Sequence, residues 1–236
     1  MKIIKLSMIA FVTLFSVAGL KAQTVDEIVK KHIEAVGGAD AWRKVSSIRM
    51  EGSLTVQGAE VKVVRTVLHG KGVKEEIIVA GMTGYNIITP TVGWNYMPFN
   101  GQTQPEPMTE EQLKENQEEM DAQDEFIDYK EKGSSVELVG KDDVDGTECF
   151  KVKLTFKSGK SDYFFIDPKS YLTIRQISKQ KANGQEVEVT TNFSNFEKLP
   201  QGIVIPKSIS LPFGELQVSK AEVNVAVDEA IFKPKS

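Results

Sequence analysis

Along the first helical stretch, apolar side chains recur every three to four positions; further on they recur at every second one. Val25, Ile28, Val29, Ile33 and Val36 form one stripe of a short helix. Thr24 is placed to cap it, Glu27 stands at capping-box spacing, and Gly37 supplies the stop. Residues 39–44 add a turn or two and bring Trp42 toward the same face. From Ile48 the period falls to two. Ile48, Met50, Gly52, Leu54 and Val56 alternate with Arg49, Glu51, Ser53 and Thr55, which predicts a strand with one dry and one wet face. Further strands are predicted over 61–68, 73–80, 85–89, 94–99, 135–139, 149–156, 162–166, 172–179, 186–196, 203–211 and 215–225. The linkers are turn-rich: Gln57-Gly58, Asp145-Gly146, Ser158-Gly159, Asn183-Gly184 and Gln201-Gly202. Many short strands joined by tight turns predict an antiparallel meander rather than βαβ units.

One segment breaks the meander. Residues 108–129 are acidic and helix-prone, with Pro105 and Pro107 before them and Thr109 followed by Glu110 and Glu111 as a start signal. Apolar positions are sparse: Leu113, Met120, Phe126 and Ile127. Such a helix could lie across the sheet as a lid that touches it through Leu113, Met120 and Phe126, or it could be a solvated connector. No repeat and no low-complexity linker divides the chain, which predicts one domain over 23–236.

Composition narrows the class. The chain has 236 residues, 29 Lys+Arg against 33 Asp+Glu, two His and one Cys. Residues 1–22 read as a cleaved export signal: a basic start at Lys2 and Lys5, an apolar run, then Leu20-Lys21-Ala22. Its apolar run falls short of the ~20 residues that span a bilayer. Losing Lys2, Lys5 and Lys21 makes the net charge of −4 still more negative. An acidic chain lacks the basic face that nucleic acid requires. A single cysteine excludes an internal disulfide, so the core alone must hold an exported domain together. Cys149 lies far from the cleavage site, so no lipid anchor of the chain's own is expected.

Candidate chemistry is thin. His32 beside Lys31 reads as a surface residue and His69 before Gly70 as a turn residue. With Cys149 they make no ligand set of usual zinc or copper spacing. Around Asp142, Asp143 and Asp145-Gly146, a calcium-loop register would put Lys141 and Val152 at positions that need oxygen donors, so a hairpin is simpler. The acidic run from Glu110 to Glu125 reads as a solvated face. No nucleophile–base motif is present, so no enzyme activity, metal or cofactor is expected. What stands out is apolar strand surface in excess of what one small helix covers. Met50, Leu54, Val63, Met82, Trp94, Tyr96, Met97, Phe99, Phe164 and Ile174 are candidate lining of an apolar cavity, with Tyr163 and Phe165 nearby. The bland alternative is that these side chains simply pack a core.

Four stretches carry a family resemblance: 28–38 (IVKKHIEAVGG), 45–52 (VSSIRMEG), 140–154 (GKDDVDGTECFKVKL) with 163–167 (YFFID), and 228–234 (DEAIFKP). Together they resemble the exported outer-membrane lipoprotein-sorting proteins of the LolA/LolB-like superfamily, in the divergent form found in Bacteroidota. The resemblance implies a mainly β fold with a few helices, an unclosed antiparallel β-barrel of about 11 strands wrapped around helices. It further implies an apolar cavity that shields acyl chains. Partners would be lipid acyl chains or lipoproteins, with membrane-bound donor and acceptor proteins as further candidates. The expected compartment is the periplasm, with a secreted or outer-membrane-associated protein as the alternative, and the expected state a monomer. Two departures stand out. His69-Gly70-Lys71-Gly72-Val73 occupies the second hairpin, where many relatives carry a proline and an aromatic, and no position matches the arginine that the best-known carrier uses as a latch. Some relatives act as envelope-stress sensors, so the alternative function is a non-catalytic protein-interaction or stress-sensing module on the same fold.

Overall fold

Alternation at every second residue becomes one antiparallel sheet in the computed structural model, which describes residues 23–182 and 185–235. The proposed export signal and the Asn183-Gly184 turn lie outside the described residues. The strands are β1 (Ser47–Val56), β2 (Ala59–Leu68), β3 (Gly72–Val79), β4 (Met82–Ile88), β5 (Gly93–Tyr96) and β6 (Glu106–Pro107), then β7 (Ser135–Val144), β8 (Thr147–Thr155), β9 (Ser161–Ile166), β10 (Thr173–Ala182), β11 (Gln185–Lys198), β12 (Val204–Leu211) and β13 (Gly214–Val223). They lie in the order β6-β5-β4-β3-β2-β1-β13-β12-β11-β10-β9-β8-β7. The sheet does not close, because β6 and β7 remain its two edges. Only the two-residue β6 goes unsignalled in the sequence. Asp145 (φ 51°) and Gly146 (φ 87°) form the β7–β8 turn as expected, with both residues in the left-handed region that this kind of turn demands.

The first and last strands meet in the middle of the sheet, Ile48 opposite Val223 and Met50 opposite Ala221. Asn224 staples this seam: its Oδ1 accepts from the Ser46 N–H at 2.8 Å, and its own N–H donates to Ser47 O at 2.8 Å.

Cross-strand register stacks the inner face into four rows. The first holds Val223, Ile48, Val67, Val73 and Ile88, and the second Ala221, Met50, Arg65, Glu75, Asn86 and Asn95. The third holds Val218, Gly52, Val63, Ile77 and Gly84, and the fourth Leu54, Val61, Val79 and Met82.

Two helices plug one end of this face. α1 (Val25–Ala35) begins at a complete Thr24–Glu27 capping box and is followed by α2 (Ala39–Trp42). Ile28 and Val29 are buried against Phe126, Tyr129, Phe150, Val152, Leu154, Phe164 and Ile166, each such burial contributing roughly 1.5–3 kcal/mol. Val36, Trp42 and Val45 pack on the first row together with Ile203 and Ile205. Gly37 (φ +112°) is required between α1 and α2, since a Cβ there would sit 2.3 Å from Gly202 O.

The mid-chain helix expected over 108–129 does not form as one piece. α3 covers Glu110–Glu115, a 3₁₀ turn covers Gln117–Met120, and turns follow. Met120, Ala122, Phe126 and Ile127 are all buried, and Asp124 turns back to accept from the Phe126 N–H at 3.0 Å. Burying four side chains so closely spaced is incompatible with the single narrow stripe of a surface helix, so tertiary packing overrides local propensity. On the outer face, Tyr85, Ile87 and Phe232 form a cluster with Trp94 and Tyr96 under the C-terminal segment. Tyr85 Oη donates to Lys235 O at 2.9 Å and accepts from the Lys235 N–H at 3.0 Å.

Candidate functional site

The inner face divides into a sealed end and an open end. At the sealed end His32, expected on the surface, is buried to 2% exposure. Its Nδ1 lies 2.8 Å from Tyr171 O and its Nε2 lies 3.1 Å from Asp124 Oδ2. A carbonyl and a carboxylate both need a donor, so both ring nitrogens carry protons. Burial alone would push the imidazole toward neutrality, but the Asp124 charge, its hydrogen bond and the Tyr171 carbonyl outweigh this and raise the histidine pKa. Asp124 is correspondingly held below its ordinary value: burial opposes its charge, and His32 more than offsets that. Phe126 stacks edge-on between His32 and Phe164, with ring centroids 5.0 Å from each.

A polar row bounds the sealed end. Arg65 Nη1 reaches Glu75 at 3.4 Å, while Nη2 donates to Glu119 O at 3.3 Å and also to the Glu119 carboxylate. Arg65 holds the Glu119 carboxyl below its usual range, partly against burial. Asn95 Nδ2 donates to Asn86 Oδ1 at 2.6 Å and continues the row. The pair ties the 3₁₀ turn Gln117–Met120 to the sheet. Sequence reasoning missed both His32 and Arg65, since the partners of His32 and the Glu119 partner of Arg65 lie more than fifty residues away along the chain, and Glu75 meets Arg65 only through strand register. Further along the face Asp162, also buried, accepts from Gln176 Nε2 at 2.9 Å, and burial raises its carboxyl.

Beyond the polar row the face is apolar and only partly covered. Val63, Ile77 and Val79 are half-buried and lie outside the cluster that the helices build, which reaches only as far as Met50. Phe193, Ile209 and Leu216 continue the apolar surface across β11, β12 and β13 and are also half-buried. Met97 and Phe99 fold over the β4 side, where a methyl group on Gly84 would stand 2.8 Å from Phe99 Cε1 and 2.9 Å from Met97 Sδ.

Of the ten candidate lining residues, Leu54, Val63 and Met82 lie in the third and fourth rows, Met97 and Phe99 fold over Gly84, and Met50 stands in the polar row, packed against the sealed-end cluster. Phe164 lies in the filled core against Phe126. Trp94 and Tyr96 pack on the outer face beneath the C-terminal segment, because Gly93 and Asn95 are the β5 positions that face inward. Ile174, at a bulge in the β9–β10 pairing, packs with Cys149 and Phe165 on the outer face. Among the lid candidates only Leu113 stands on a helix; Met120 and Phe126 are core residues. Cys149 is fully buried, and burial pushes its thiol up to about 11.

A cleft of about 1090 Å³ lies between α3 and the β8–β9 hairpin and is polar. Glu106, Glu111, Lys114, Glu119, Lys153 and Lys160 are among its walls, and none of the ten apolar candidates is. Among the described residues, no group of three or more His, Cys, Asp or Glu is placed to hold a metal ion.

No family model and no curated protein matches the sequence. Solved structures do match over nearly the whole fold. A LolA-superfamily protein from Nitrosomonas europaea aligns with a TM-score of 0.55 at 13% identity, over 90% of this chain and 98% of its own. A DUF1329 family protein from Desulfovibrio piger gives 0.54 at 16% identity, with 90% and 98% covered. A putative outer membrane lipoprotein-sorting protein domain from Vibrio parahaemolyticus gives 0.51 at 15%, with 87% and 94% covered. At such identities the likeness speaks for architecture. The open sheet, the helical plug and these matches agree that the chain has the LolA-like fold.

Proposed function

We propose that this is an exported, non-catalytic lipid-binding protein whose open end shields acyl chains, in lipoprotein sorting or related lipid handling in the envelope. One observation carries the reading: around the buried Leu54, Val61 and Val218, the side chains of Val63, Ile77, Val79, Phe193, Ile209 and Leu216 form a half-buried apolar surface outside the clusters that the helices build. Burying one CH₂ gains ~0.8 kcal/mol, so a 16-carbon chain gains on the order of 12 kcal/mol before association and ordering costs. That margin supports micromolar or tighter binding with no polar recognition of the tail. The Arg65–Glu119 pair, which holds the crossing segment, is the contact whose release would widen access. The solved lipoprotein-sorting and LolA-superfamily neighbours support the reading through architecture alone.

The polar cleft beside α3 favours a second reading, an interaction module that binds a protein partner. Lipid mass spectrometry of the protein purified from its host's envelope, with titration of a fluorescent fatty acyl probe, separates the two. A stoichiometric acylated molecule or micromolar probe binding is expected. An empty protein that refuses the probe would transfer the function to the polar cleft.

A further inference from the structure

The open end is crowned by three hairpin turns without a charged residue. β1 turns into β2 through Val56-Gln57-Gly58-Ala59, β3 into β4 through Val79-Ala80-Gly81-Met82-Thr83, and β12 into β13 through Ser210-Leu211-Pro212-Phe213-Gly214. These hairpins are contiguous, in the order β4-β3-β2-β1-β13-β12. The turn tips themselves are uncharged in a chain that is 26% charged, with exposed Glu60 next to Ala59 and exposed Glu215 opposite Ser210 just behind them. The next described turn on this side, Lys157-Ser158-Gly159-Lys160, carries two lysines, and turns at the opposite end include His69-Gly70-Lys71, Asp145-Gly146 and Asp167-Pro168-Lys169.

The rim is not only neutral but apolar. Phe213 is 61% exposed at its turn and Met82 is 45% exposed. Both adjoin the inner surface: Met82 ends the fourth row, and a Cβ on Gly214 would lie 3.3 Å from Leu54 Cδ1 in the same row. A proline and an aromatic ring on one tight turn and a thioether on another offer a partner no concave pocket. They match a medium that is apolar and undemanding in geometry. We propose that this rim is a membrane-contact edge, with Phe213 and Met82 entering the headgroup–acyl boundary of a phospholipid bilayer and the apolar rows opening onto it. Uncharged at its tips and flanked by Glu60 and Glu215, the edge recognises the bilayer by burial and not by anionic headgroups. This goes beyond acyl binding and is tested without it.

The test is flotation of purified protein with phosphatidylcholine vesicles at low and high ionic strength. Wild type is expected to float equally at both, and Phe213→Glu combined with Met82→Glu to lower the partition coefficient by about tenfold or more. Phe213→Ser is expected to give a smaller loss, and it serves if the double variant does not fold. Val92→Glu, an exposed apolar residue between β4 and β5 at the other end, should change nothing. Failure of wild type to float, flotation only with anionic vesicles and only at low salt, or unchanged flotation of both rim variants overturns the proposal. So does a wild-type dimer that the rim substitutions dissociate, because the rim would then belong to a second copy. Fluorescent acyl probe titration on the same variants reports separately on the inner surface.

Discussion

The same strands build both ends of the inner face, yet only one end is filled. In the first row Ile48, Val67, Val73 and Ile88 are all buried under helices, and at the same end His32 is locked between Asp124, Tyr171 O and Phe126. In the third row Val218 is buried but Val63 and Ile77 are only half-buried, and Gly52 and Gly84 contribute no side chain; in the fourth, Leu54 and Val61 are buried while Val79 is half-buried and Met82 exposed. The Arg65–Glu75 row stands between them. A protein optimised only for stability would fill both ends. The contrast indicates where stability is concentrated and where apolar surface is held available.

Substitutions should separate the two ends, and the sealed end should respond most. Phe126→Ala empties a fully buried site and is expected to cost about 3–5 kcal/mol in urea unfolding; a loss under 1 kcal/mol would mean that this end is not the core. Removing one partner of the buried pair, by Asp124→Asn, should cost about 2–4 kcal/mol. The pair also fixes a pH dependence. Because His32 titrates higher folded than unfolded, its contribution is complete below 6.5 and fades as pH rises through the raised value. Thermal midpoints should therefore decline as pH rises above 6.5, and Asp124→Asn should flatten that decline.

At the boundary, Arg65→Met leaves Glu75 and Glu119 facing each other. Its partly exposed setting limits the loss to about 1–2 kcal/mol, with faster entry of an acyl probe by stopped flow. Unchanged entry would remove Arg65 from the gating role. The smallest stability effect belongs to the open end. Ile77→Glu should cost about 0.5 kcal/mol yet weaken acyl-probe binding about tenfold, and equal losses at both ends would erase the distinction.

How much of this was readable beforehand follows from where the information resides. Strands such as β1 and β2 announce themselves because alternation is local, and the Thr24–Glu27 cap lies within four residues. Alternation does not say which face turns inward, so Trp94 and Tyr96 were expected in the cavity while Asn95 occupies it. The rows depend on register between strands, which no single strand encodes; Arg65 opposite Glu75 emerges only when β2 and β3 are paired. His32 looked exposed because the chain beside it is charged, and Asp124 arrives from a distant turn. The helix expected over 108–129 failed because buried Met120, Ala122, Phe126 and Ile127 cannot share one stripe.

The central seam has a temporal meaning. β1–β6 and β7–β13 are each meanders whose strands pair with sequence neighbours, so each can zip up as its own turns close. Joining them requires β1 to find β13, which lies at the far end of the chain. Contacts of such separation form late and slowly. A chain emerging gradually, from a ribosome or a translocation pore, therefore holds two half-sheets with bare edges at Ile48 and Val223 until β13 is free. In that interval it is most open to mispairing with another copy.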